Sequence, residues 1–410
     1  MLNAVISPMP PSAPLSLPWD EANAPEPVAA MRAARARYGD SFTFISGGST
    51  YFFVASTAGL TSFYAVAERD ASKGLADYRM LLRKLPPELF EGRRTFAHDL
   101  FGASDVTSYL TNVDWAIEYA IAELADAGVF DAFVFARRVG HLIGIGCWLG
   151  REAPIDILVA HLDVLDGAEA FVHPERMHDR DGSAEREAMA RLTAIVGSLL
   201  DAHSRLPSFL DVIAERWTDV ADREQRHRGI AYDVVLLHIA TMTNLFAAIG
   251  WTVAMTLLHD VADADLDNAA LESIRLGQVS LMTREVLRTI DFDDGLQVRT
   301  VEPGVHLAMM VPVTNLDGGR NQFDSARWND RKLHNDITTA TFGHGAHRCP
   351  AQRFSMQAIV RTVRALREQF EMDARFAHVR PLPMQIGGVA RAANECKIGF
   401  RRVAATRNPT

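Results

Sequence analysis

Cysteine is scarce in this chain. Its three cysteines, Cys147, Cys349 and Cys396, lie too far apart along 410 residues for a disulfide scaffold, which predicts a reducing, cytoplasmic setting. A surplus of positive charge is also lacking: the formal net charge of -9 excludes a globally basic surface for nucleic acid. Residues 1–20, MLNAVISPMPPSAPLSLPWD, have no basic start and no continuous apolar stretch, so they read as a Pro-rich surface arm, not a signal or membrane anchor. There is no internal repeat and no low-complexity tract. Strands and helices do not alternate regularly either, which argues against a doubly wound nucleotide fold.

What the chain does contain is one long apolar run, VVLLHIATMTNLFAAIGWTVAMTLL at 234–258, of bilayer-spanning length. His238, Asn244 and several threonines interrupt it, and Asp233 and Asp260 flank it. An apolar-all-round helix of this kind is what the centre of a large helical domain requires, and that is the expectation here. After the arm, AMRAARARYGDSFTFISGGSTYFFVAS predicts a short helix and two strands split by Gly47 and Gly48. Helical periodicity then dominates 57–260, with apolar residues three and four apart. GLQVRTVEPGVHLAMMVPVTNLD changes to short β-rich pieces, 352–372 returns to helix, and MQIGGVARAANECKIGFRR reads as a closing hairpin. The predicted class is mainly α with small β-sheets, residues 21–410 forming a single large helical domain.

The approach to Cys349, TATFGHGAHRCPAQRFSM, is unusual for a lone cysteine. Buried cysteines are commonly inert, but the glycines around this one imply special backbone conformations, not an element interior. A zinc site could draw on His344, His347 and Cys349, yet it lacks a second ligand pair at metal-binding spacing. A nucleophile would need a general base held by a third group, and none is visible. An axial thiolate to haem iron needs a tight loop, N–H groups turned to the sulfur and a helix starting at once; glycines and the helix expected from about Pro350 supply these.

Phe342, Gly345, His347 and Cys349 stand in the order and spacing of F-x-x-G-x-H/R-x-C-x-G, and the stretch resembles the haem-binding signature of the cytochrome P450 superfamily. Ala351 departs from that pattern, replacing its last glycine. The resemblance extends upstream. Two E-x-x-R runs exist, Glu272–Arg275 and Glu285–Arg288, and such pairs are common on helices. Only the first is followed, at Arg284, by an arginine where the family places a haem-propionate partner. FDSARW, from Phe323 to Trp328, resembles the segment whose arginine, here Arg327, completes a structural Glu/Arg/Arg cluster with Glu272 and Arg275. Arg94, in GRRTFAHDLF, is carried as a second propionate partner.

The resemblance implies a cytochrome P450-like domain holding haem b, with Cys349 as the axial ligand of the iron. It implies a monooxygenase that hydroxylates a hydrophobic small molecule, with electrons delivered through a ferredoxin and its reductase. The apolar run would be the distal helix, which in most members carries an acid–alcohol pair for proton delivery. Here Asn244 falls at the acid and Leu245 at the alcohol, with Thr243 the nearest hydroxyl, and neither an amide nor a leucine is a proton donor of the usual kind. That departure keeps two alternatives open: a peroxide-using or isomerase/dehydratase variant, and a haem-binding protein without turnover. Phe246 and Ala247 are expected in the pocket wall. Arg348, Arg353, Arg361, Arg364 and Arg367 are expected to form a basic face for an acidic electron carrier.

Overall fold

A computed structural model describes residues 9–20, 24–166, 182–202 and 208–403. In chain order the elements are α1 (Pro27–Tyr38), β1 (Ser41–Ser46), β2 (Ser49–Val54), α2 (Thr57–Ala65), β3 (Ala71–Ser72), α3 (Lys73–Leu82), α4 (Ala97–Leu100) and α5 (Ala103–Ala122). There follow β4 (Ala127–Asp131), α6 (Ala132–Trp148), α7 (Ile155–Asp166), α8 (Ser183–Asp201), α9 (Phe209–Glu215), α10 (Arg223–Leu258) and α11 (Leu266–Gly277). The last are β5 (Leu281–Val286), β6 (Ile290–Asp293), β7 (Val298–Val301), β8 (His306–Met310), α12 (Val311–Asn315), α13 (Gln352–Gln369), β9 (Phe370–Ala374) and β10 (Lys397–Arg402). The class is mainly α with small sheets, as the periodicity predicts.

The apolar run is the heart of α10, which begins where Asp222 accepts a hydrogen bond from the Gln225 N–H. It is the helix among the described residues long and apolar enough to cross a membrane, and 78% of its apolar window is buried. Its packing follows from small residues. A Cβ on Gly140 of α6 would lie 2.7 Å from Phe246 Cβ, and one on Gly144 would lie 2.5 Å from the His238 ring, so α6 and α10 cross closer than any larger pair allows.

Three sheets flank the helices. The largest has the order β1-β2-β8-β5-β3, with only the β2–β8 pair parallel; β4-β10-β9 and β6-β7 are antiparallel. Strand alternation divides the large sheet cleanly. Phe52, Val54, Leu307 and Met309 pack in one apolar cluster, while Tyr51, Phe53, Ala308 and Met310 pack in another.

Of the Pro-rich arm, residues 9–20 lie along the large sheet: Ser12 bridges Thr43 of β1, the Leu17 N–H donates to Ser46 Oγ, and Leu17 and Trp19 are buried with the sheet; residues 1–8 lie outside the described residues. One expectation needs correction: the C-terminal segment is not a hairpin. Its strand β10 pairs with β4 and β9, and residues 385–391 form an irregular loop laid across α10 and the end of α11.

Candidate functional site

Cys349 lies on the loop before α13 and is half-buried. Its N–H donates to the Phe342 carbonyl at 2.7 Å, closing the loop, and a single turn of 3-10 helix spans Gly345–His347 inside it. Gly343, at φ 74°, has no room for a side chain, since a Cβ would lie 2.5 Å from the His347 carbonyl oxygen. Ala351 sits at φ -86°, a conformation open to any L residue, so the loop does not require glycine there. Burial pushes the Cys349 thiol up, and the Ala351 N–H directed at the sulfur pulls it down. No group of three His, Cys, Asp or Glu among the described residues could hold a metal ion, which removes the zinc reading.

The predicted Glu/Arg/Arg cluster joins α11 to residues 315–328. Glu272 and Arg275 are fully buried on α11, and Arg275 donates to both carboxylate oxygens, at 2.6 and 2.8 Å. The carboxylate also accepts from Trp328 Nε1 at 2.9 Å and the Asp324 N–H at 3.1 Å, and Arg327 Nε stands 3.5 Å from it. Arg275 reaches further, to the Asn315 carbonyl at 2.8 Å. The competing Glu285–Arg288 run begins on β5, not on a helix, and takes no part.

At one edge of the loop Arg284 of β5 meets His347, Nη1 to Nε2 at 2.6 Å. Arg284 is wholly buried, donates to the Ala71 and Val66 carbonyls, and has its nearest carboxylate, Glu68, at 3.5 Å. Burial lowers the pKa of both Arg284 and His347; Glu68 opposes the shift at Arg284, and the positive charge of Arg284 adds to the shift at His347. In that pair the guanidinium donates and His347 Nε2 accepts, so an anion seat at this edge of the loop would draw on the positive charge of Arg284, which Glu68 shares at 3.5 Å. Arg94 is not part of it: its guanidinium pairs with Asp219, donates to the Arg216 carbonyl and stacks over Trp217, sharing no contact with Arg284 or His347. Its chain neighbours, pinned through the Arg94 N–H to Asp233, hold it against α9 and α10 instead.

The second candidate element is α10. Its middle is buried except on one side, where Ala240 and Asn244, one turn apart, are exposed and Thr241 and Thr243 are half-buried. Thr241 and Thr243 donate to the carbonyls of Leu237 and Ile239 in their own helix, at 2.6 and 2.7 Å. Leu245, Phe246 and Ala247 are buried. Phe246 is therefore not a pocket wall; its ring packs on α6, near His141 and between the guanidinia of Arg137 and Arg391.

The 385–391 loop links α10 to the cysteine segment through hydrogen bonds and one β-bridge. Asn244 Oδ1 accepts from the Val389 N–H at 3.0 Å; Val389 bridges Gln278, whose Nε2 donates to the Thr341 carbonyl at 2.8 Å; and Thr341 adjoins Phe342, which accepts from Cys349. The exposed face of α10 is thus tied through the 385–391 loop to the segment that carries the cysteine loop, and a ligand cleft between the two would have the 385–391 loop along one side. Fit to haem is supported by the buried Arg284 at the loop, the N–H turned to Cys349 and the uncovered strip of an otherwise buried helix.

Of the predicted basic face, Arg361 pairs with Asp114 and Arg367 with Asp263, which leaves Arg348, Arg353 and Arg364 exposed. A buried polar chain also went unread in the sequence. His141 Nδ1 and His238 Nε2 are 3.0 Å apart in stacked rings, His141 Nε2 lies 2.8 Å from Asp163, and Arg137 holds the same carboxylate. This chain bolts α6, α7 and α10 together on the side of α10 away from the cleft.

No family model and no curated protein matches the sequence. Among solved structures, the chain is similar to the retinoic acid-bound cyanobacterial CYP120A1, with a TM-score of 0.75 over 97% of this chain and 100% of that one, at 16% identity. The fold of this chain is the cytochrome P450 fold.

Proposed function

We propose that the protein is a haem-thiolate oxidoreductase, with Cys349 as axial ligand and Arg284 and His347 holding the propionates, that hydroxylates a hydrophobic small molecule. The observation that carries this reading is the cysteine loop itself, closed by the Cys349 N–H on the Phe342 carbonyl at 2.7 Å, with the buried Arg284 donating to its His347 at 2.6 Å. Bound there, the haem would supply the oxidative chemistry, with the thiolate directing electron density into the iron. The chain's own residues do the rest. Glu272, Arg275 and Arg327 tie α11 to residues 315–328, which lead into the cysteine loop, the Ala351 N–H steadies the sulfur, and the strip of α10 at Ala240 and Asn244 would meet the substrate. Electrons would come from a ferredoxin and its reductase, guided by Arg348, Arg353 and Arg364.

The decisive test is the absorption spectrum of the reduced, CO-bound protein. A red-shifted Soret band, lost in Cys349→Ala, is expected; an unshifted band in the wild type would end the reading. Turnover of an apolar library, including extended molecules of the class bound in the cyanobacterial neighbour, separates the chemistries. Product with reductase and dioxygen supports hydroxylation. Product with peroxide alone favours the peroxide-using variant, to which the hydroxyls of Thr241 and Thr243, committed to their own helix, are already better suited.

A further inference from the structure

Asn244 is the one polar side chain exposed on the cleft face of α10, and its amide is oriented. Oδ1 accepts from the Val389 N–H at 3.0 Å, so a flipped amide would set its NH2 against another N–H donor. The loop is shaped to this contact. Gly388 stands at φ 63°, and a Cβ there would fall 1.7 Å from Asn244 Oδ1, a position no side chain can share. The loop is then fastened on both sides of Val389: the Gly388 carbonyl accepts from the Val279 N–H at 3.0 Å, the Ala390 N–H donates to Gly277 at 2.7 Å, and the Ala390 carbonyl accepts from Trp251 Nε1 at 2.7 Å. With Oδ1 committed, Nδ2 donates to no described residue, and the side chain is exposed.

We propose that Asn244 orients the ligand: its Oδ1 latches the 385–391 loop, and its Nδ2 donates a hydrogen bond to a neutral oxygen acceptor, a ketone or ester carbonyl, on an otherwise apolar molecule. A neutral acceptor fits because the donor is a single uncharged amide, and the hydroxyls beside it are used within the helix. A carboxylate desolvated there would need a cation, and the Arg284 guanidinium is engaged at the anion seat. The inference deepens the reading of this cleft as the ligand side of a haem-thiolate site and rests on it.

Two substitutions separate the two halves of the proposal. In Asn244→Asp at pH 8 the carboxylate still accepts from Val389 but has no proton to donate; Asn244→Leu has neither function. Amide hydrogen exchange of 385–391, measured with and without haem, reads the latch. Val389 protection should survive in Asn244→Asp and fall in Asn244→Leu. Ferric Soret-shift titrations with a cyclic terpenoid ketone and the hydrocarbon of the same skeleton read the donor. The wild type should favour the ketone by roughly threefold to tenfold, the worth of one hydrogen bond, and both variants should lose that preference while the hydrocarbon still binds. Equal binding of the two by the wild type, or a ketone preference retained in Asn244→Asp, overturns the donor; unchanged Val389 exchange in Asn244→Leu overturns the latch. A protein without the thiolate Soret band would instead overturn the functional reading, and the exchange of Val389 would still judge the latch.

Discussion

Replacing Glu272 by alanine should unbalance the whole cysteine side of the molecule. The carboxylate is fully buried and takes five polar neighbours: two nitrogens of Arg275, Trp328 Nε1, the Asp324 N–H and Arg327. Removing it strands the buried Arg275 guanidinium, which keeps only the Asn315 carbonyl at 2.8 Å. Breaking one member of a buried ion pair costs about 3–5 kcal/mol, because the charge left behind has no compensation. Total stabilities of about 5–15 kcal/mol make that about a fifth or more of the margin. Glu272→Gln keeps the volume and one acceptor oxygen but gives up the charge, so it should fall between the wild type and alanine. The assay is urea denaturation followed by far-UV circular dichroism, with midpoints compared at fixed slope. Glu371→Ala is the control, since its pair with Arg401 is exposed on both sides and its loss should not move the midpoint measurably. If Glu272→Gln, which is the variant most certain to fold, unfolds at the same urea concentration as Glu371→Ala, the cluster is not what holds this side together.

Gly144→Ala should destabilise the protein by about 1–3 kcal/mol by overpacking, because its Cβ would press on the His238 ring and on Met242 Cγ, 2.8 Å away; thermal unfolding reads it, and an unchanged midpoint would refute the close α6–α10 crossing. His238 should add an acid-sensitive slope to stability. Burial first, then the positive charges of His141 and Arg137 on α6, hold its pKa well below the ordinary value, against the opposing pull of Asp163 on α7. Below about pH 6.5 the unfolded chain therefore binds a proton that the folded chain refuses, and stability falls by up to about 1.4 kcal/mol per pH unit until the folded pKa is reached. Asp163, held down at about 2, behaves in the other window: its contribution is present above about pH 4 and disappears as the pH falls through 2. Urea midpoints measured from pH 7 to 5 should show a shallower slope in His238→Leu; the same slope in both proteins would mean that His238 is already charged in the folded state.

Local pattern carried the parts of this molecule whose partners are near in sequence. The hairpin at Gly47 and Gly48, the core character of α10 and the loop from Phe342 to Cys349 are short-range statements, and each has its physical cause within a few residues. Arg284 and Arg327 could be placed because a fixed spacing resembles a known arrangement, and the structure brings them to His347 and Glu272. What pattern could not supply was pairing at a distance. Residues 127–131 contain two small residues and little β signal, yet they form β4 because β10, some 270 residues later, offers its edge. For the same reason the expected C-terminal hairpin dissolves: both of β10's neighbours lie outside that segment. The Asp163–His141–His238 chain joins residues 22 and 97 positions apart, so no spacing announces it. Arg94 shows the opposite error, a residue assigned by proximity to a weak pattern when a nearby carboxylate, Asp219, and the Trp217 face had the stronger claim.

The position of Asn244 alters what its substitution for an acid means. An asparagine lying idle on the distal helix would be a missing proton donor and nothing more. Here its carbonyl oxygen is the first link of a continuous path, through Val389, Gln278 and Thr341, to the loop that carries Cys349. The same loop therefore roofs the cleft and braces the segment beside the sulfur. A ligand that pulls on the Asn244 amide meets resistance set by Gly277, Val279 and Trp251, three anchors that hold Gly388 and Ala390 in place. The amide is consequently a stiff donor whose direction is set before any ligand arrives, and such a donor selects by geometry as much as by chemistry. An acid in that place could hold the loop equally well but would offer a charge where the structure offers an oriented N–H. On the proposed reading, asparagine at this position would place a substrate where an acid would move protons.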